Sequence, residues 1–170
     1  MYLLSQCLTE SFGLFSPQTF QCQQALTTPN NDNMNIEYSF DKRPTADQII
    51  ELYDNAGLPR PTHDKERIQK MYDNSNLIVS AWDNDLLVGV SRSITDWVWA
   101  CYLSDLAVRQ DYKKEGIGKK LIHLTKEKVG DQSMVLLLSV PTAMEYYPKV
   151  GFKKQESSFI IDRQEWRQIQ

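Results

Sequence analysis

From Leu106 to Leu121 the chain reads Leu-Ala-Val-Arg-Gln-Asp-Tyr-Lys-Lys-Glu-Gly-Ile-Gly-Lys-Lys-Leu. An apolar run stops, two glycines follow one residue apart, and apolar residues then recur at helical spacing. The pattern predicts a strand, a tight loop and a helix whose first N–H groups have no partner of their own. Glycine lets the backbone come close to a phosphate, the unpaired amides donate to it, and the helix dipole adds about half a positive charge at that end. Lys113, Lys114, Lys119 and Lys120 supply the further positive charge a polyphosphate needs. The chemistry indicated is anion binding around Gly116, Ile117, Gly118 and Lys119.

Spacing narrows the ligand. A nucleotide-triphosphate loop requires GxxxxGK followed by Ser or Thr, whereas Lys113 stands at its first glycine and Lys120 at its hydroxyl. A dinucleotide fingerprint requires GxGxxG after the first strand, and here Leu121 replaces the third glycine and the loop comes late in the chain. Nucleophilic and metal chemistry find less support. Cys7, Cys22 and Cys101 form no CxxC pair, and neither His63 nor His123 has a second ligand at i+3 or i+4, so no metal and no Cys/His nucleophile are expected.

The elements that must position this loop can be read around it. Asn35–Phe40 alternates as a strand. Ile49, Ile50, Leu52, Tyr53 and Ala56 mark a first helix that starts at Thr45 or Asp47 and stops at Gly57. After a linker, Gly57-Leu58-Pro59-Arg60-Pro61, a second helix runs from about Asp64 to Asn74. Leu77–Trp82 and Leu86–Ser91 flank the turn Asp83-Asn84-Asp85 and form a hairpin. A third strand covers about Trp99–Val108, a helix Lys119–Val129, and the apolar run Ser133–Val140 reads as a central strand buried on both faces. A short helix over Thr142–Val150 and strands within Phe152–Ile161 complete the expectation. The order indicates an α/β (α+β) fold, a mixed sheet flanked by helices.

At 170 residues, 41% apolar and 24% charged, the chain has the profile of one globular domain. Residues 1–33 are rich in Gln, Ser, Thr and Asn and end in the turn-forming run Thr28–Asn33. They read as an extension, or as sequence upstream of a start at Met34, and 34–170 as the functional domain. The net charge of −3 argues against nucleic acid. No long apolar run or basic leader appears, so no membrane and a cytoplasmic location are expected.

On these residues the chain resembles the GNAT N-acetyltransferase family. Lys113-Lys114-Glu115-Gly116-Ile117-Gly118 is similar to its Q/R-x-x-G-x-G/A coenzyme loop, with Lys113 in the first place. Ala143-Met144-Glu145-Tyr146-Tyr147-Pro148-Lys149-Val150-Gly151-Phe152 resembles its A-x-x-x-Y-x-K-x-G-F segment. Two motifs in the right order carry more weight than either alone. The resemblance implies acetyl-CoA as cosubstrate and direct attack on the thioester by an amine. It implies that the strand ending at the loop and its parallel partner splay apart, with the pantetheine arm along Leu106, Ala107 and Val108. Lys113, Lys114 and the amides from Gly116 to Lys119 would hold the pyrophosphate. Tyr147 would be the acid at the coenzyme sulfur, and Asp105, at the mouth of the gap, the base through water, with Glu145 as an alternative.

The acceptor implied is a small-molecule amine, with Tyr53, Trp97 and Trp99 as candidates for lining its slot, and a homodimer is among the partners considered. Three other readings stay open: a protein lysine or N-terminal acetyltransferase, a GNAT-fold acyl-CoA binder without turnover, and a partner-binding domain that takes no coenzyme.

Overall fold

The structure, a computed structural model, describes residues 35–163; the extension expected over 1–33 lies outside them. Strand β1 (Ile36–Ser39) leads to helix α1 (Ala46–Ala56). Thr45 caps α1 by accepting from the Gln48 N–H, Gln48 returns the bond to the Thr45 N–H, and Gly57 ends the helix at φ 70°. This is a capping box at one end and a left-handed stop at the other, both readable from residue types. Helix α2 (Lys65–Asp73) is capped by Asp64.

Strands β2 (Leu77–Asp83), β3 (Leu86–Thr95) and β4 (Ala100–Val108) are antiparallel neighbours. Helix α3 (Ile117–Val129) then crosses to β5 (Met134–Leu136), which runs parallel to β4. The sheet is thus mixed and five-stranded, in the order β1-β2-β3-β4-β5. Parallel neighbours need such a crossover, because a tight turn cannot bring the chain back to the same end.

Two apolar clusters hold the layers. On one face Ile49, Leu52 and Tyr53 of α1 and Ile68 and Tyr72 of α2 pack with Ile78, Trp82, Val90 and Ala107 of the sheet. On the other, Ile117, Leu121 and Val129 of α3 pack with Leu77, Val79, Ala81, Val88 and Cys101. Each fully buried aliphatic side chain contributes about 1.5–3 kcal/mol of transfer free energy, so these faces dictate the strand register. Gly89 admits α3 closely: a Cβ there would lie 3.1 Å from both Ile117 Cγ2 and Leu121 Cδ1.

Three expectations need correction. The central strand over Ser133–Val140 is real only for Met134–Leu136, and Met134, Leu136 and Leu138 are exposed. Strand β5 is the edge of the sheet among the described residues. The helix expected over Thr142–Val150 is two 3₁₀ turns, Pro141–Ala143 and Tyr147–Val150. Pro148 offers no N–H for an α-helical bond at that point and its ring crowds the preceding turn. No strand forms within Phe152–Ile161, where alternation in sequence has no paired edge to complete it.

Candidate functional site

Strand β4 pairs with β5 only at Ala100↔Met134, Cys101↔Val135 and Tyr102↔Leu136. From Leu103 onward the β5-facing edge of β4 is unpaired by any strand among the described residues. The cause is local. Arg92 of β3 stands opposite Asp105 while Ser93 stands opposite Leu103, which leaves Ser104 as one extra residue in β4. A bulge of this kind bends its strand and disrupts the ladder. Beyond it, the Arg109 N–H donates to Val88 O of β3 at 2.9 Å. With a period of two, the Ala107 N–H also faces β3, and the N–H groups of Leu106 and Val108 face the open gap.

At the end of β4 the loop is moored before it turns. Arg109 donates from Nε to Leu87 O at 3.0 Å and pairs through Nη2 with Glu51 of α1. The Gln110 N–H donates to Asn55 Oδ1 at 2.9 Å, and the Tyr112 hydroxyl to Asp83 Oδ2 at 2.7 Å. Lys114 and Gly116 take positive φ, 76° and 79°. The second suits glycine; the first is a strained conformation for lysine. Helix α3 starts at Ile117, and the Lys120 N–H closes its first turn onto Gly116 O. The N–H groups of Ile117, Gly118 and Lys119 therefore precede the helical ladder. Lys113, Lys114 and Lys119 are exposed around them, with Lys113 Nζ donating to Gln110 Oε1 at 2.7 Å.

Tyr147 lines a groove that it shares with Lys119 of α3 and with β5. A groove of about 1300 Å³ runs along β5, with Lys119, His123 and Lys126 of α3 on one side and Met144, Tyr147 and Phe152 on the other. The Tyr147 ring sits edge-on between Tyr146 (centroids 5.4 Å apart) and Phe152 (5.6 Å). Burial pushes its phenol above the ordinary tyrosine range, the Tyr146 phenol adds to this, and the Arg60 charge opposes it. It carries its proton at neutral pH. Tyr146 itself, unremarked in the sequence, reaches over the start of α3: a Cβ on Gly118 would lie 3.0 Å from its hydroxyl.

Asp105 is not at the mouth of the gap, and this corrects the sequence expectation. Its side chain is 0% exposed and turned to the face of α1 and α2. Arg60 Nε lies 2.6 Å from Oδ1, and Arg92 Nε 2.5 Å and the Tyr53 hydroxyl 2.9 Å from Oδ2. A fully buried carboxylate with three of its four lone-pair sites taken by two guanidiniums and a phenol is held in the core, away from a substrate. The bulge is the reason: it reverses which side chains face which layer. Cys101 packs with the α3 cluster, yet beyond Ser104 it is Leu106 and Val108 that do so, while Ala107 joins the α1–α2 cluster. Tyr53 is likewise fully buried and lines no slot, and Trp97 and Trp99 project from the β3–β4 turn, 41% and 70% exposed.

The two arginines were missed although a signal existed. Arg92 is the sole charged residue of β3 and Asp105 the sole charged residue of β4. Lone opposite charges in adjacent apolar strands are expected to meet, because an isolated buried charge is too costly. Among the described residues no group of three or more His, Cys, Asp or Glu is placed to hold a metal ion, and no helix is long and apolar enough to cross a membrane.

Residues 45–165 match the family described as acetyltransferase (GNAT) domain. An uncharacterized N-acetyltransferase ycf52-like protein of Prochlorococcus marinus is 26% identical over 129 residues, covering 72% of this chain and 71% of its own. Among solved structures, the Staphylococcus aureus protein SA2161 superposes with a TM-score of 0.65 at 25% identity, over 75% of this chain and 98% of its own. The aminoglycoside acetyltransferase meta-AAC0020 from an uncultured soil sample, solved with sisomicin, shares the fold at a TM-score of 0.53 and 23% identity, over 75% and 94% of the two chains.

Proposed function

The chain belongs to the GNAT acetyltransferase family, and from that premise we propose that it transfers the acetyl group of acetyl-CoA to the amine of a small molecule, by direct attack within a ternary complex. The observation that carries this reading is the edge of β4 unpaired by any described strand beyond Tyr102, which ends with Val108 beside Gly118 of α3, whose Lys119 lines one groove with Tyr147.

The residues present fit acetyl-CoA. The N–H groups of Leu106 and Val108 are directed to the gap, where an extended pantetheine arm can pair with them as a strand would. The amides of Ile117, Gly118 and Lys119, with Lys113, Lys114 and Lys119, form an anion site of the kind a pyrophosphate takes. Acetyl-CoA, when bound, supplies the activated acetyl group as a thioester. The β4 N–H groups of Leu106 and Val108 would donate to a thioester carbonyl placed in the gap and, being preorganised, would stabilise charge there without reorganisation. Tyr147 holds a proton at neutral pH and would be the acid that supplies it to a departing thiolate, regaining one from solvent. Asp105 enters this reading as the anchor of two arginines, and the proton of the attacking amine passes to water.

A cationic acceptor is favoured by the overall excess of carboxylates. A thiol-release assay with acetyl-CoA, run over monoamines, polyamines, aminoglycosides and lysine peptides, tests the proposal. Turnover on peptides alone would replace the small molecule by a protein acceptor. Calorimetric binding of acetyl-CoA without turnover on any amine would reduce the chain to a coenzyme binder.

A further inference from the structure

The bulge that opens the gap is itself held from outside the sheet. Arg60, in the linker between α1 and α2, donates from Nη2 to Ser104 O at 2.9 Å and from Nη1 to Pro59 O at 2.8 Å, besides its Nε bond to Asp105. Arg92 donates from Nη2 to Ser104 Oγ at 2.7 Å and from Nη1 to Ser75 Oγ at 2.8 Å. The extra residue of β4 is thus gripped by two guanidiniums that share one carboxylate. Arg92 ties it within the sheet and to the end of α2; Arg60 ties it to the linker.

The linker lies where the second substrate must arrive. The anion site is at the start of α3, on the α3 face of the sheet, so a coenzyme held there leaves the gap open from the opposite face. On that face stand α1, α2 and their linker. Arg60 is one-quarter exposed, 24% against 6% for Arg92, and its charge is felt at the Tyr147 phenol.

Resting on the transfer reading above, we propose that Arg60 is a positioning residue which joins the acceptor-side linker to the β4 bulge, so that the linker and the coenzyme gap are set in one geometry. Arg60 touches neither the thioester nor the bulge side chain; it acts through Asp105 and Ser104 O. Guanidinium geometry matters here, since a single planar fork reaches a carboxylate, a bulge carbonyl and its own linker at once.

Arg60→Gln tests it, because Arg92 still balances Asp105 and the sheet is expected to fold. With an amine the wild type acetylates, the acceptor KM rises about tenfold or more, the worth of one charge-assisted bond. Acetyl-CoA affinity by calorimetry stays within about threefold, since Arg92 still bonds Asp105 and Ser104 Oγ and the bulge, though opening more often, keeps its mean geometry. Arg60→Lys restores part of the acceptor KM, as it can meet Asp105 but not Ser104 O together with it. Hydrogen exchange gives a readout that does not depend on turnover. The amides of Leu58, residue 60, Thr62, His63 and Asp64 in the linker, and those of 103–106, exchange about tenfold faster together in Arg60→Gln. If no amine is turned over by the wild type, the transfer reading fails, while coupled exchange still supports the link. An unchanged acceptor KM, an equal loss of acetyl-CoA affinity, or exchange that rises in the linker alone overturns the proposal.

Discussion

Tyr147 and Lys114 illustrate how a single residue in this site is constrained by both chemistry and conformation. The Tyr147 ring packs between Tyr146 and Phe152, so Tyr147→Phe keeps the packing and removes only the hydroxyl. If Tyr147 is the acid, kcat and kcat/KM fall together, by about 10²-fold, the lower end for general acids because a thiol is already a fair leaving group. Acetyl-CoA affinity measured by calorimetry stays unchanged, and wild-type turnover in this variant would leave Tyr147 with packing alone. Lys114 holds φ at 76°, a conformation that strains a residue bearing a Cβ by about 1 kcal/mol or more. Lys114→Gly relieves that strain and removes a charge beside the anion site. The variant is expected to unfold at the same temperature or slightly higher, and to bind acetyl-CoA a few-fold more weakly. Weaker stability with unchanged affinity would show that Lys114 is structural.

At the scale of elements, the position of α3 is decided by Gly89 on β3. The close approach of Ile117 and Leu121 leaves no room for a side chain, and the carbonyl of Ala107 lies 3.3 Å from where a Cβ would stand. Gly89→Val overpacks this contact and is expected to cost about 1–3 kcal/mol. Calorimetric scanning would show the melting temperature lowered by roughly 2–4 °C for each kcal/mol. The helix carries the proposed anion site at its first turn, so acetyl-CoA affinity is expected to fall as well, although Gly89 is buried behind it. Unaltered melting would mean that α3 shifts without penalty, and that the helix is not held by this contact.

For the whole molecule, the buried pair Tyr53 and Tyr72 sets an alkaline limit. Their hydroxyls are 2.8 Å apart, and burial, first among the causes, raises both phenols well above the ordinary value near 10. In the unfolded chain tyrosines ionise at about 10. The unfolded state therefore loses protons that the folded state retains, and stability falls as pH rises from about 10 through the folded values, while it is fully present below. Urea unfolding at a series of pH values is expected to show a decline beginning near pH 10 that is shallower in Tyr72→Phe. Equal stability of the wild type at pH 8 and 11 would contradict it. The core clusters of the described residues use side chains from 36 to 135 only. A chain beginning at Met34 is accordingly proposed to unfold cooperatively and to bind acetyl-CoA, and loss of cooperative unfolding on truncation would place residues 1–33 in the domain.

Helix starts and stops, the hairpin and the turn of the glycine loop into α3 were legible in the sequence, because each depends on residue types acting within a few positions. Thr45, Gly57, Asp64 and Gly116 do at their sites what their chemistry permits anywhere. Family membership was legible too, since the two motifs stand in the family's order and the chain matches its model. The course of β4 was not. One unmatched residue, Ser104, reverses the faces of everything after it and ends the pairing with β5, and strand periodicity contains no mark of such an insertion. Asp105 was therefore assigned to the gap when the bulge had turned it into the core, against Arg60 and Arg92. The run Ser133–Val140 looked like a buried central strand because apolarity reports a tendency to be covered, not whether a neighbour is present to cover it. Local sequence determined where α1, α2, α3 and the hairpin form and which loop carries the family's motif; only the tertiary structure, through register and the pairing of distant charges, decided which side chains face the gap and which the core.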